Sequence, residues 1–350
     1  MTGVLKDSTL KFPEADRSIL EPYLPQHHRQ RQTKTDTKNK TDDNNNNNNN
    51  DNDIPFTTLT FATSLDSSLS ISPGIPTALS GPQSKAMTHY LRSRHDAILI
   101  GVGTAVADNP SLNCRIYGVS GYGYDGHDGG DSSNNGRSLY GQPRPIILDP
   151  TARFEVGEET KILALAREGK GLAPFIITGV MGDNKNDDDK DNQVQSESGG
   201  RADSNSARFE RQKRVLEEHG GKYIQIPLGL GSSSVRDGSE NRPVQEDEAE
   251  AAHKLDWRTI LRILRKEGLE SVMIEGGGMV INSLLEPSWH SLIDSVIVTI
   301  APTWLGRGGV VVSPSRRFGG DGKVIPASRL RDVRWYPFGE DVVLCGKMMM

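Results

Sequence analysis

Cysteine is scarce: Cys114 and Cys345 are the only two in 350 residues. Neither belongs to a Cys-x-x-Cys pair, so together they build neither a disulfide framework nor a zinc site. None of the eight histidines begins a His-x-Glu sequence, which leaves zinc-dependent deamination without support. A basic stripe is missing as well. The net charge is −5, and the one basic cluster, His28-Arg-Gln-Arg31, sits in a polar leader, so no surface is suited to neutralising phosphates along a nucleic acid. No apolar run approaches transmembrane length, and the N-terminus lacks an apolar signal core. These absences describe a soluble, cytoplasmic protein that engages neither nucleic acid nor membrane and carries no metal.

Apolar clusters are also lacking over long stretches. Residues 33–53 are Thr, Lys, Asp and Asn, with an unbroken Asn44–Asn50 run. Segments 118–141, 181–207 and 229–252 are similarly rich in Gly, Ser, Asp, Asn or Glu. Such composition buries too little apolar surface to offset chain entropy. The expected organisation is a disordered low-complexity leader over 1–53, with a short helix near Phe12–Leu20, followed by one α/β domain over 54–346. The three polar segments would be long disordered insertions on its surface.

The remaining chain is strongly patterned. Pro55–Ala62 alternates apolar and hydroxyl residues as a first strand, delivering Thr63-Ser-Leu-Asp66 to a loop. Gln83–Arg94 reads as a helix with Met87, Tyr90 and Leu91 on one face. Ala97–Ile100 is apolar without alternation, as in a buried strand, and runs into Gly101-Val-Gly-Thr104. Further strands are expected at Pro143–Asp149, Ala173–Gly179, Lys222–Pro227, Ser271–Ile274 and Leu292–Ala301. Helices are expected at Arg208–His219, Leu255–Glu267 and Gly277–Leu285, and Lys161–Ala166 is a short element of either type. Two apolar runs flanking Phe338-Gly-Glu340 predict an antiparallel hairpin. Strands separated by helices, then strands joined directly, predict a mixed β-sheet flanked by helices.

Two glycine-rich strand ends dominate the candidate chemistry. Gly101-Val-Gly-Thr resembles the opening of a dinucleotide fingerprint, but the third glycine and a later acidic residue are missing, so a tight strand-to-loop turn is the better explanation from these residues alone. Glu275-Gly-Gly-Gly278 opens a helix with bare backbone amides suited to a phosphate; Glu275 itself is either a functional carboxylate or one stabilised by that helix end. Asp108 before Asn109-Pro110 has the makings of a turn former. Arg115 and Lys85 are surface charges or phosphate ligands, Arg as a bidentate fork and Lys as a point charge. Ser64 and Asp66 are turn residues, or face the crevice where the glycine ends meet. His89 receives no role.

Five ordered motifs, Thr60-Phe-Ala-Thr-Ser-Leu-Asp66, Leu79-Ser-Gly-Pro-Gln-Ser84, Leu91–Thr104, Ala107-Asp-Asn-Pro-Ser-Leu112 with Arg115, and Val272-Met-Ile-Glu-Gly-Gly-Gly278, resemble those of the riboflavin-biosynthesis reductases. The resemblance is to the stand-alone fungal type, without the fused deaminase of the bacterial form. It implies a dihydrofolate-reductase-like fold and a homodimer. The implied reaction is reduction of 2,5-diamino-6-ribosylamino-4(3H)-pyrimidinone 5′-phosphate: the opened sugar forms an imine, hydride from NADPH reaches C1′ and a proton reaches nitrogen. NADH tolerance stays open.

Position by position, the resemblance places Gly101, Gly103, Thr104, Asp108, Ile226, Glu275, Gly276, Gly277, Gly278 and Met279 around the cofactor. Arg115, with Lys85, Ser64 and Asp66, falls to the substrate, and Asp108 and Glu275 to catalysis. One departure stands out, because many relatives have Asp-Gly after the first strand where this chain has Asp66-Ser67, which puts a positive-φ turn in question. A pterin or folate reductase on the same fold and a non-catalytic nucleotide-binding scaffold are the alternatives.

Overall fold

The computed structural model describes residues 9–26, 53–124, 139–179, 199–226, 256–314, 322–324 and 327–349. The asparagine run, the insertion 229–252, and residues 125–138 and 181–198 of the other two insertions lie outside the described residues.

A nine-stranded sheet forms the centre. Its strands are β1 (Phe56–Thr63), β3 (Ala97–Gly101), β4 (Arg144–Leu148), β5 (Phe175–Thr178), β6 (Lys222–Gln225), β7 (Ser271–Gly276), β8 (Ser295–Ile300), β10 (Leu330–Phe338) and β11 (Asp341–Met348). Their order is β10-β11-β8-β1-β7-β3-β4-β5-β6. Strands β8 to β6 in that row run parallel, whereas the final hairpin is antiparallel to β8 and within itself. The sheet is therefore mixed, as the direct strand connections at the C-terminus predict. A separate two-stranded ribbon pairs β2 (Ser68–Ser70) with β9 (Val310–Val311); three-residue and two-residue strands are too short to read as sequence patterns.

Helices α2 (Pro82–Ser93), α3 (Val102–Asp108), α4 (Lys161–Arg167), α5 (Gly199–Glu218), α6 (Trp257–Lys266) and α7 (Gly278–Leu284) flank the sheet. Helix α6 shows why: Asp256 caps its N-terminus, accepting from the Arg258 and Thr259 amides at 3.1 and 3.2 Å, and Trp257, Ile260, Leu261 and Leu264 form one buried stripe. Burying each such side chain contributes about 1.5–3 kcal/mol. The loop expected after Gly101 is instead the short helix α3, ended by Asn109 in the left-handed region at φ 38°. Helix α5 starts earlier than Arg208, so residues 199–207 of the expected insertion are helical backbone.

The leader expected to lie outside the domain is corrected in part. Helix α1 (Glu14–Leu20) falls where the short helix is expected, but it belongs to the folded body. Phe12, Leu20, Tyr23 and Leu24 are buried in one cluster with Met87, Tyr90 and Leu91 of α2 and with Phe338, and the Phe12 and Tyr90 rings stack with centroids 5.1 Å apart. Four large apolar groups within thirteen residues bury enough surface to order this piece. The rims of the first insertion are folded too, since Val119 and Tyr122 are buried in the same cluster.

Two buried histidines couple this core to pH. His95 donates from Nδ1 to the Leu91 carbonyl at 2.7 Å, which leaves Nε2 to accept from the Thr58 hydroxyl at 2.8 Å. Burial lowers its pKa to about 4. His89 is lowered to about 2 by burial and by the charges of Arg92 and Arg115. Both residues protonate more readily when unfolded, so stability should be fully present above the ordinary histidine value of about 6.5 and fall as pH drops below it, by ~1.4 kcal/mol per pH unit per residue. Urea unfolding between pH 7.5 and 4.5 checks this: a decline beginning near 6.5 is expected, and a flat curve down to 5 would contradict it.

Candidate active site

Strand β7 is where the site is made. Its pairing with β3 matches Leu99 to Ile274 and Ile100 to Gly276, so Glu275 is the bulged residue. A bulge re-aims a side chain that regular alternation would send elsewhere. The Glu275 carboxylate lies at the junction of two adjoining clefts, both of which it lines.

The larger cleft, of 790 Å³, runs over the C-terminal ends of β3, β4 and β7. Gly101, Gly103, Thr104 and Asp108 line one side, Gly277, Gly278 and Met279 the other. Gly277 has φ 96°, and a Cβ built on it would lie 2.8 Å from the Thr104 hydroxyl, so the two glycine-rich corners face each other with no room for a side chain between them. The β2–β9 ribbon contributes Ser70 and Val310 as a further wall. Asn282 of α7 holds that ribbon by donating to the Val311 carbonyl at 2.9 Å and accepting from the Ser313 amide at 2.8 Å. Thr151 and Arg153, in the loop after β4, also line this cleft.

The smaller cleft, of 430 Å³, is bounded by β1 and by one face of α2. Lys85, His89 and Arg92 project into it, joined by Arg115 and Glu275. Phe61, Ala62, Leu69 and Thr77 line both clefts.

Arg92 grips Glu275 as a fork, with Nε to Oε1 at 2.8 Å and Nη2 to Oε2 at 2.7 Å. Its Nη1 donates to the Asn113 carbonyl at 3.1 Å. Burial disfavours the charge on Arg92, but the attraction and hydrogen bonds of Glu275 outweigh it and hold the guanidinium pKa above its ordinary value. Neutral His89 accepts on Nδ1 from the Arg115 amide at 3.1 Å. That bond requires the Nε2–H tautomer, so the Arg115 Nη2 at 3.3 Å from Nε2 is a packing contact between two donors. Partial burial raises the Asp108 pKa, with Lys161 opposing.

Of the residues expected at the site, Gly101, Gly103, Thr104, Asp108, Gly277, Gly278, Met279 and Glu275 come together in the larger cleft, and Lys85 and Arg115 face the smaller one. Gly276, at φ 98°, lies just behind, where a Cβ would meet Ile281 at 2.5 Å. Three others are not brought in. Ile226 is 6% exposed within the main core and lines neither cleft, because β6 is the outermost strand of its end of the sheet.

Ser64 and Asp66 also line neither cleft. The Asp66 carboxylate accepts from the Ser64 hydroxyl, the Gly306 amide at 2.8 Å and the Leu305 amide at 3.2 Å, and these bonds lower its pKa. Both residues fasten a turn. That turn keeps its positive φ with serine, since Ser67 sits at 62° where glycine would be unstrained. Sequence reading missed Arg92 and His89, although Lys85, His89 and Arg92 recur at four and three residues along one face of α2, opposite Met87, Tyr90 and Leu91, and that polar stripe was the available signal.

The RibD C-terminal domain model matches residues 55–177 and 231–344, more than half of the chain. The chain belongs to the RibD C-terminal domain family. It is 34% identical, over 84% of its length and 90% of the relative's, to the 2,5-diamino-6-ribosylamino-4(3H)-pyrimidinone 5′-phosphate reductase of Debaryomyces hansenii. Identity to the Saccharomyces cerevisiae protein of that name is 32%, over 84% and 87%. Among solved structures it is similar to the Saccharomyces cerevisiae riboflavin biosynthesis reductase Rib7, with TM-score 0.54 and 26% identity over 96% of this chain and 100% of that one. Acinetobacter baumannii RibD, at TM-score 0.51 and 17% identity over 85% and 59%, shares the fold. The fold of the family is the dihydrofolate-reductase-like sheet that the motifs imply. Among the described residues no helix is long and apolar enough to cross a membrane.

Proposed function

We propose that this member of the RibD C-terminal domain family reduces 2,5-diamino-6-ribosylamino-4(3H)-pyrimidinone 5′-phosphate to the ribitylamino product with NADPH. The observation that carries the reading is the meeting of two clefts at Glu275: a larger one walled by bare glycines, roomy enough for a dinucleotide, and a smaller one bearing Lys85 and Arg115, suited to a phosphorylated sugar.

The glycine corner fits the cofactor, because any side chain at Gly277 would fill the space against Thr104 that a bound backbone-hugging group needs. Gly101, Gly103, Thr104, Gly277, Gly278 and Met279 would hold it, and when bound it supplies a hydride. The protein's own contribution is position. Arg115 and Lys85 orient the phosphate. Glu275, fixed by Arg92, still has acceptor capacity for ribose hydroxyls, and Asp108, whose pKa burial raises, handles the proton bound for nitrogen. No group has to act as a strong base.

Preference for NADPH over NADH is assigned to Arg153, the sole cation among the described residues that line the larger cleft, in the loop after β4. With the reactive end of the cofactor at Glu275, Arg153 would be the cation available to its adenosine end, and a guanidinium suits a 2′-phosphate. Arg153→Ala should weaken NADP⁺ binding about tenfold and leave NAD⁺ binding unchanged, read by calorimetry; equal effects on both would remove Arg153 from this role. A homodimer belongs to the same proposal, and the outer strand β10, with Trp335 60% exposed, is the edge that supports it. The reaction itself is tested by NADPH oxidation with the ribosylaminopyrimidine phosphate against dihydrofolate and dihydropterin. Faster turnover of a pterin would overturn the substrate.

A further inference from the structure

The segment ahead of the first strand does more than cover the core. Leu10 forms a parallel bridge with Ile116. Its amide donates to the Arg115 carbonyl at 2.8 Å, and its carbonyl accepts from the Tyr117 amide at 2.8 Å. Arg115 therefore has both main-chain groups held from outside its own segment, the N–H by His89 of α2 and the C=O by Leu10.

The segment is bolted down on two sides. Glu21 accepts from Tyr90 of α2 and from Arg94, which caps its C-terminus, and Arg94 also donates to the Pro25 carbonyl at 3.0 Å. On the hairpin side, Tyr23 donates to the Asp332 carbonyl, and Phe12 packs between Tyr90 and Phe338.

We infer that residues 9–26 are a strap that sets the position of Arg115, making Leu10 a positioning residue for the substrate phosphate although it touches no substrate. This rests on the reading of Arg115 as a phosphate ligand. Main-chain pairing fixes where the Arg115 Cα sits, and a forked ion pair is sensitive to displacements well under an ångström. Coupling runs both ways, so a bound phosphate must also stabilise the strap.

The test compares the phosphorylated substrate with its dephosphorylated form. Leu10→Pro removes the N–H that holds Arg115; it should raise KM for the phosphorylated substrate on the order of tenfold, with kcat and NADPH affinity within about twofold and no change for the dephosphorylated form. Leu10→Ala keeps the main-chain bonds and should behave as wild type. Arg115→Ala with Lys85→Ala should abolish the difference between the two substrates, and Arg115→Ala alone should remove most of it. If Arg115→Ala leaves that difference intact, the phosphate reading of Arg115 fails; if Arg115→Ala removes most of it but Leu10→Pro does not raise KM, the strap inference fails. Loss of NADPH affinity alongside KM would mark a general structural defect and also count against it. Should Leu10→Pro not fold, the wild-type protein decides: inorganic phosphate should slow hydrogen exchange at the Leu10 and Tyr117 amides, and unchanged exchange at saturating phosphate overturns the proposal.

Discussion

Arg92→Ala is expected to lower kcat/KM by about two to four orders of magnitude, the equivalent of the 3–5 kcal/mol lost when one partner is removed from a buried ion pair. The side chains of Arg92 and Glu275 are 14% and 18% exposed, so the surviving carboxylate finds little water to replace the fork. It would turn away, and the ribose contact at the junction of the clefts would go with it. Glu275→Gln should reduce turnover in the same direction, leaving Arg92 charged and half-satisfied. In both variants NADPH binding, followed by fluorescence titration, should stay within about threefold of wild type, because the glycine corner does not depend on the pair. Arg92→Lys should not rescue, as an ammonium cannot span both carboxylate oxygens. Wild-type turnover in Glu275→Gln would remove Glu275 from the site.

The second large effect is expected at the opposite wall. Gly277 combines φ 96° and ψ 143°, a region that side chains avoid, with a 2.8 Å approach of any Cβ to the Thr104 hydroxyl. Alanine there costs roughly 1–3 kcal/mol in backbone strain, which the loop relieves by moving into the cleft. NADPH affinity should therefore fall about ten- to hundredfold, while affinity for the phosphorylated substrate alone is retained. Gly277→Ala with Thr104→Ala, which removes the hydroxyl, should bind no better than Gly277→Ala alone, since the strain is in the main chain; recovery in the double variant would show that the Thr104 contact alone matters.

Much of this architecture was legible in the chain. Continuous apolar runs such as Ala97–Ile100 and Ser271–Ile274 gave buried parallel strands, and Phe338-Gly-Glu340 gave the hairpin. The glycine-rich ends of β3 and β7 were visible as places where backbone meets ligand, and pairing through neighbouring strands does bring them to one cleft. The rest depended on tertiary facts that local pattern does not carry.

The bulge that aims Glu275 is a property of register between β3 and β7. The Arg92 fork needs that bulge to have a partner. Ile226 ends a strand as expected, yet β6 lies at the sheet's far edge and its side chain turns into the core. Asp66 has the chemistry of a ligand, but Leu305 and Gly306, some 240 positions away in the chain, take its oxygens. Phe12, Leu20, Tyr23 and Leu24 look like isolated apolar residues in a polar leader until α2 and the hairpin supply the surface they cover.

In the proposed reaction a hydride crosses the junction at Glu275 between the two clefts. Turnover with NADPH carrying deuterium at the transferable C4 position of nicotinamide tests this most directly, with product analysed by mass spectrometry and NMR. One deuterium per turnover, located at C1′ of the ribityl chain, is the predicted result; product without deuterium at C1′, or label appearing at another carbon, would contradict it.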